Sequence, residues 1–443
     1  MENRVYKKLW IGFVLLSLSF SALFLNACKD NDSGNENAAM SITKVYLEDA
    51  TSSVTDRLVT FARLGQTIRL EGSGFVGVKK VYINGYSNYF NPVYVTNNSM
   101  LVTIDAGKAP TFDAPDDVRN TIRLEKNESN YFVYDFDIRS AAPTITGFSH
   151  SMPQAGDRIT IYGTGLQGIT SVTFPGNVVV TDGIVSDDED GKFFEVTVPR
   201  DISKDGGSVF ATGSNGGAYS PACFNFTKGL FHNFDDVQNY SWGSGIDNTA
   251  LTAKIPTSGD GPKSQGGYQV FNSGGNLAGG ADQRFWLVST PVFTPATAIT
   301  NLIAAATPVD QCGIQMDIYV EGTWNSGVIR FVMADGYGSS RYCMLYQPVY
   351  PNGTAYDPAA FVNPGCWFTI TLPFSLSADF TGKTLGDVVT QMSNASYAQF
   401  GPWFENSGVK DVFDPAPATE KIYFDNIRIV PLTTPAYSDF PDE

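Results

Sequence analysis

Histidine is almost missing: the 443 residues hold only His150 and His232. General-base and triad chemistry are therefore poorly supplied. No G-x-S-x-G elbow occurs. The acids Asp310, Asp317, Glu321, Asp335, Glu405 and Asp411 form no E-x-D-x-x-E arrangement of the kind a glycosidase strand carries. None of the five cysteines lies in C-x-x-C spacing, which with so few histidines argues against zinc. Charged residues make up only 17%, and tryptophan is absent from 11 to 241. Glycine (43) and proline (24) are plentiful, a mix that favours short strands and turns over long helices. The net charge is −16, which repels phosphate backbones and disfavours nucleic acid as a partner.

The one long hydrophobic run is at the start. Met1 to Lys8 are basic, Leu9 to Leu25 apolar, and Asn26-Ala27-Cys28 follow. A small residue directly before a cysteine resembles the lipobox of bacterial lipoproteins. That resemblance implies removal of residues 1–27, acylation of Cys28 and stable anchoring by more than one chain. The Lys29-Asp-Asn-Asp-Ser-Gly34 cluster resembles a signal for export to the outer face of the outer membrane. Residues 28–40 then read as a lipidated, polar tether. The remaining Cys223, Cys312, Cys343 and Cys366 allow three disulfide pairings or free thiols.

An internal repeat is visible. GQTIRLEGSGFVGVKKVYING (65–85) and GDRITIYGTGLQGITSVTFPG (156–176) align at a constant offset of 91. Ile68, Leu70, Val81 and Ile83 match Ile159, Ile161, Val172 and Phe174. Each copy reads as a strand, a G-x-G turn and a second strand, with one face inward at period two. The glycines are expected to supply positive φ. The pattern resembles the immunoglobulin-like IPT/TIG family, over 41–140 and 141–228. The glycine-rich turns lie between strands, so they are poor phosphate cradles.

The character changes at 229. Strand-like runs appear at Phe285–Val288, Gly313–Val320, Gly327–Met333, Trp367–Leu372 and Lys421–Val430, with no third repeat. KIYFDNIRIV, Gly365-Cys-Trp-Phe-Thr-Ile-Thr-Leu-Pro373 and Leu230-Phe-His-Asn-Phe-Asp-Asp236 resemble the closing, central and first strands of jelly-roll carbohydrate-binding modules. The expected fold class is all-β: two Ig-like sandwiches, then a larger jelly-roll-like sandwich over 229–443.

Indole offers a large rigid face for sugar stacking. Trp324, in a polar glycine-flanked segment, Trp286, opposite in face to Phe285 and Leu287, and the loop-like Trp403, Tyr337 and Trp242 are candidate glycan contacts. Trp367 reads as core. Asn325, Arg341, Gln347, Glu405 and Asn406 are polar candidates nearby. The jelly-roll resemblance adds a structural Ca²⁺ at Asp235, Asp236 and Asp425; no other cofactor is implied.

Taken together, the chain resembles the surface glycan-binding lipoproteins of Sus-like polysaccharide-utilisation systems. That resemblance implies a non-catalytic, outer-membrane, lipid-anchored protein that binds xyloglucan or a related β-glucan through its last domain. The Ig-like modules would be spacers stiffened at prolines such as Pro143 or Pro153. A Sus-like transporter and a surface glycosidase would be partners. A surface adhesin or an anchored glycosidase are the alternatives. Residues 229–443 alone are expected to retain affinity, and 41–228 to bind none.

Overall fold

The computed structural model describes residues 36–50, 52–54, 56–235, 240–244, 261–264, 266–287, 299–334, 342–350, 355–396, 399–406 and 416–440. Among them the fold is β throughout, with one α-helix, Leu385–Asn394. No described helix is long and apolar enough to cross a membrane. Cys28 and its leader lie outside the described residues.

The chain divides into two compact units. The first comprises the residues up to Ala141 together with the C-terminal Phe440–Glu443. Its strands Arg57–Leu58, Ser41–Glu48, Thr67–Ser73 and Ser99–Thr103 form one sheet, and Tyr86–Asn88, Lys80–Ile83, Thr121–Asn127 and Asn130–Asp135 the other. Alternation does the packing: Ile68, Leu70, Val81, Ile83, Ile122 and Leu124 are fully buried, while their neighbours face outward. Phe440 stacks parallel on Phe61, with centroids 5.3 Å apart.

The second unit, Ala142–Asp439, holds the second Ig-like module and the terminal domain together. The module repeats the two-sheet plan, and the residues equivalent by offset, Ile159, Ile161, Val172 and Phe174, are again buried. The paired glycines divide their labour. Gly74 and Gly165 take positive φ (+76° and +68°). Gly72 and Gly163 do not; a Cβ there would meet the carbonyl oxygens of Ser41 and Thr144 at 1.8 and 1.9 Å. The first glycine of each G-x-G thus admits the bulged first strand, where the pairing slips by one residue.

The terminal domain is a sandwich of two antiparallel sheets. The back sheet orders Leu230–His232, Lys421–Pro431, Cys312–Glu321 and Phe368–Pro373, with Gln269–Phe271 also pairing the long closing strand. The front sheet orders Tyr240–Ser244, Asp282–Leu287, Gln399–Glu405, Val328–Ala334 and Cys343–Tyr346. All five strand runs expected from the sequence are present, within two or three residues at their ends. The segments read as first and closing strands are both strands, and they pair with one another. The helix was not anticipated. Thr384 and Asp387 form a capping box at its start, and Leu385, Val388 and Met392 enter the core. All four described cysteines are free thiols. Burial pushes Cys223 and Cys343 up to about 11 and Cys312 to about 12, so none is a reactive thiolate.

A buried polar network ties the second module to the back sheet. Arg428, fully buried, donates to both oxygens of Asp317 (2.8 and 3.1 Å), to Gln315 Oε1 (3.2 Å) and to Ser151 Oγ (2.8 Å). Ser151 Oγ donates to Gln315 Oε1 (2.7 Å), and Thr369 Oγ1 donates to Asp317 (2.6 Å). His150 Nε2 lies 3.8 Å from Asp317, while its Nδ1 accepts from Met152 N. Burial opposes ionisation of Asp317, but Arg428 and His150 overcome it and hold the carboxyl below its ordinary range. Ser151 and His150 come from the module, Arg428 and Asp317 from the sandwich; the network is complete only with both.

Candidate functional site

The outward face of the front sheet collects what the sequence scattered. Along Asp282–Leu287, Phe285 and Leu287 point into the core and Trp286 to the opposite side. Along Gln399–Glu405, Phe400 and Phe404 point inward and Trp403 outward. Strand register then fixes a rung across five strands: Ser244, Arg284, Trp403, Arg330 and Leu345. The next rung begins with Trp242 opposite Trp286 and ends with Val332 opposite Cys343. Gly401 lies between Trp286 and Val332, where a Cβ would sit 2.0 Å from the Phe285 carbonyl oxygen.

Trp286 and Trp403 meet edge to face, 5.1 Å between centroids and 80° between planes. With Val332 and Cys343 they form a small apolar cluster of their own, apart from the main core. The Arg284 guanidinium lies over the Trp403 ring at 4.4 Å and is held by a bidentate bond to Asp282 (2.7 Å each). Arg330 pairs with Glu405 at 2.7 Å. Beside this floor lies a depression of about 320 Å³ lined by Arg330, Cys343, Leu345, Gln347, Leu376 and Ala378. Leu345 and Leu376 are 39% and 53% exposed. The volume falls at the small end of ligand sites.

Trp403 and Trp242 belong to strands rather than loops. Trp286 and Trp403 are only 6% and 3% exposed, so they are a covered floor and not the open platforms expected. Tyr337, Arg341 and Asp236 lie outside the described residues, as does the side chain of Trp242.

Trp324 is corrected outright. It is fully buried, its Nε1 donates to Gly327 O (3.1 Å), and Tyr346, Phe361 and Phe404 surround it edge-on. The polar residues that made its segment look solvated are bonded internally. Ser326 donates to Asn406 (2.6 Å), Asn406 to the Leu277 and Ala416 carbonyls (2.8 Å each), and Asn325 accepts from Thr419. Trp367 is buried as expected, at 1%. It packs against Tyr268 and Tyr319 (6.1 Å each) rather than within the main core.

Asp425 is buried and Asp235 exposed. Asp235 accepts from Gly267 N and Asn233, and Asp425 from Asn426 N. Burial first, then the charges of Asp317 and Asp235, push Asp425 well above the carboxylate range. Among the described residues no group of three or more His, Cys, Asp or Glu is placed to hold a metal.

Arg284 was legible beside Trp286 from strand alternation. Arg330, Leu345 and Leu376 were not singled out. The signal for Arg330 was a lone cation in Gly327–Met333, an otherwise apolar run.

Residues 224–431 match the family model of the surface glycan-binding protein B xyloglucan binding domain. An IPT/TIG domain-containing protein of Bacteroides ovatus is 29% identical over 170 residues, which is 38% of this chain. The chain spans about a third (33%) of that relative's length. The crystal structure of surface glycan-binding protein PbSGBP-B from Prevotella bryantii aligns with a TM-score of 0.60 at 17% identity, over 89% of this chain and 99% of that one. SGBP-B from a complex xyloglucan utilization locus in Bacteroides uniformis aligns over 89% of this chain and 100% of its own, at 18% identity and a TM-score of 0.47. The resemblance read from the sequence is thus supported from two sides, by an IPT/TIG relative and by a terminal domain that matches the xyloglucan-binding domains of surface glycan-binding proteins.

Proposed function

We propose that this chain is a non-catalytic cell-surface protein that captures a neutral β-glucan of the xyloglucan type on the outward face of its front sheet. One observation carries the reading: within the segment that matches the xyloglucan-binding family, an indole pair outside the core adjoins an open depression rimmed by donors and acceptors. The covered indoles give the floor its shape. Leu345 and Leu376 offer the open apolar contact, and Arg330 and Gln347 meet hydroxyls. The acids of this face favour binding over hydrolysis, since Asp282 and Glu405 are each engaged by an arginine. The chain is anchored to the outer membrane through acylated Cys28, and it hands polysaccharide to a transporter and a glycosidase.

Affinity electrophoresis of the full chain against a panel of plant glucans and mannans is the test. Retention on xyloglucan is expected, with loss in Trp286→Ala/Trp403→Ala. The exposed change Leu376→Asp keeps the test open should the double variant unfold. Full retention in both variants rejects this face. Release of reducing ends from a retained glycan would make the chain an enzyme, and replacement of Cys28 by Ser should free it from membranes. Calcium at Asp235 and Asp425 is a separate proposal: a cation would relieve their mutual repulsion, and a Tm unmoved by EDTA removes it.

A further inference from the structure

The first Ig-like module carries a groove of its own. It measures about 550 Å³ and lies on the outward face of the Lys80–Ile83, Thr121–Asn127 and Asn130–Asp135 strands. Two rungs build it: Tyr82, Arg123, Val133 and Lys80, Glu125, Tyr131. The Arg123 guanidinium lies 4.4 Å from the Tyr131 centroid and 5.5 Å from that of Tyr82. Glu125, 5% exposed, holds it at 3.1 Å and takes Lys80 at 3.3 Å on its other oxygen. Tyr131 and Val133 remain 54% and 44% exposed.

The second module shows what this face can accept. There the rung equivalent to Tyr82, Arg123, Val133 is Thr173, Phe210, Tyr219. A flat ring from the same chain covers it: Tyr437 sits 5.2 Å from Phe210 and 6.3 Å from Tyr219. In the first module that position is open, with Arg123 and Val133 where the second has Phe210 and Tyr219, and with Lys80, Glu125 and Tyr131 where the second has Ser171, Thr212 and Gly217. Such a lining suits a flat occupant that both donates and accepts hydrogen bonds at its edges. It does not suit an anion, because Glu125 already engages both cations and Asp117 and Glu128 also line the groove.

We propose that this groove binds a neutral pyranose unit, a second glycan contact on a module otherwise assigned to spacing. The choice of a neutral sugar rests on the function proposed for the terminal domain. Two weak contacts on one chain would act together on a long polymer and separately on a short one.

Calorimetry of the full chain with xylogluco-oligosaccharide, and gel retention on polymeric xyloglucan, test it. In Arg123→Ala/Tyr131→Ala, oligosaccharide binding is expected to fall from two sites per chain to one. Polymer retention should weaken about tenfold, the scale of one lost stacking contact. Tyr131→Phe should keep both; because Arg123 is half-buried against Glu125, the single change Tyr131→Ala at an exposed position serves as the control, lowering retention with melting unchanged. Unchanged stoichiometry and retention in the double variant, with loss in Trp286→Ala/Trp403→Ala, overturns this groove alone. No retention by the native chain overturns the groove and the terminal-domain reading together.

Discussion

The two Ig-like modules share a repeat and diverge just ahead of it. Position for position, Leu58-Val-Thr-Phe61 of the first corresponds to Ser149-His-Ser-Met152 of the second. In the first, Val59 is buried in the module's own core and Thr60 faces outward. In the second, their counterparts His150 and Ser151 are both buried and reach the Arg428–Asp317 pair of the terminal domain, while Met152 keeps the buried place of Phe61. The exchange of Val59 for His150, and the burial of Ser151 where Thr60 is exposed, distinguish a module in its own compact unit from one joined to its neighbour. The repeat glycines and core positions specify the sandwich; the segment before them specifies what the sandwich joins.

The largest effect should come from breaking that junction. Asp317→Ala strands a fully buried guanidinium and is expected to cost about 3–5 kcal/mol. Calorimetry should show the melting of the second unit falling while that of the first stays. The matching change in the first unit, Arg69→Ala, removes partly exposed pairs with Glu48 (2.8 Å), Glu71 (3.4 Å) and Asp56. Its cost should be about 1 kcal/mol or less. Equal costs would abolish the contrast between the modules.

Truncation sharpens the same point. A fragment of 229–443 lacks Ser151 and His150, so Arg428 and Gln315 lose buried partners; a fragment beginning at 142 keeps them. The longer piece is expected to melt higher by several degrees and to keep the terminal-domain site while lacking the groove of the first module, so its polymer retention should match that of Arg123→Ala/Tyr131→Ala. The same pair of fragments tests the expectation that 229–443 alone retains affinity. Equal melting of the two would show that the second module contributes no stability.

Tryptophan substitutions separate core from site. Trp324→Ala empties a fully buried position and should cost about 3–5 kcal/mol of stability. Trp286→Ala also removes a buried indole, but it should in addition lower glycan affinity because it reshapes the floor beneath the exposed contacts, an effect Trp324→Ala lacks. Chemical denaturation and affinity electrophoresis distinguish the two, and the reverse pattern would return Trp324 to the binding face.

Much of the fold was legible because period two is a local property: five of the ten described strands of the last domain follow from alternation or apolar content, while Gln399–Glu405, broken by Gly401 and Pro402, read as a loop. The helix was not, since its ten residues, LGDVVTQMSN, form a short apolar stripe. The site was half legible. Alternation placed Trp286 opposite Phe285, but bringing it to Trp403 requires pairing between strands more than a hundred residues apart. Trp324 misled for the converse reason. Polar neighbours signal solvent only when water is their partner, and here Asn406, Glu420 and backbone carbonyls are. The junction was invisible in sequence, because a buried Ser or His reads as a turn residue until its partner 277 residues away is known.

The smallest effects concern pH, and they again divide the units, because both histidines and the buried Asp425 lie in the second. Burial lowers His150 and brings His232 to about 4, from an ordinary value near 6.5. The unfolded chain therefore binds more protons in that interval, and the second unit loses stability as pH falls through it. Asp425 works in the opposite direction. Its folded pKa is raised, so its contribution is complete below about 4 and declines as pH rises toward the folded value. Asp425→Asn keeps the shape and removes the cost of ionising a buried acid beside Asp317. Its Tm should exceed that of the native chain at pH 7 and converge on it near pH 3. A variant less stable than the native chain at pH 7 but equal to it near pH 3 would mean that the ionised carboxylate is required, as it would be if a cation sat between Asp235 and Asp425.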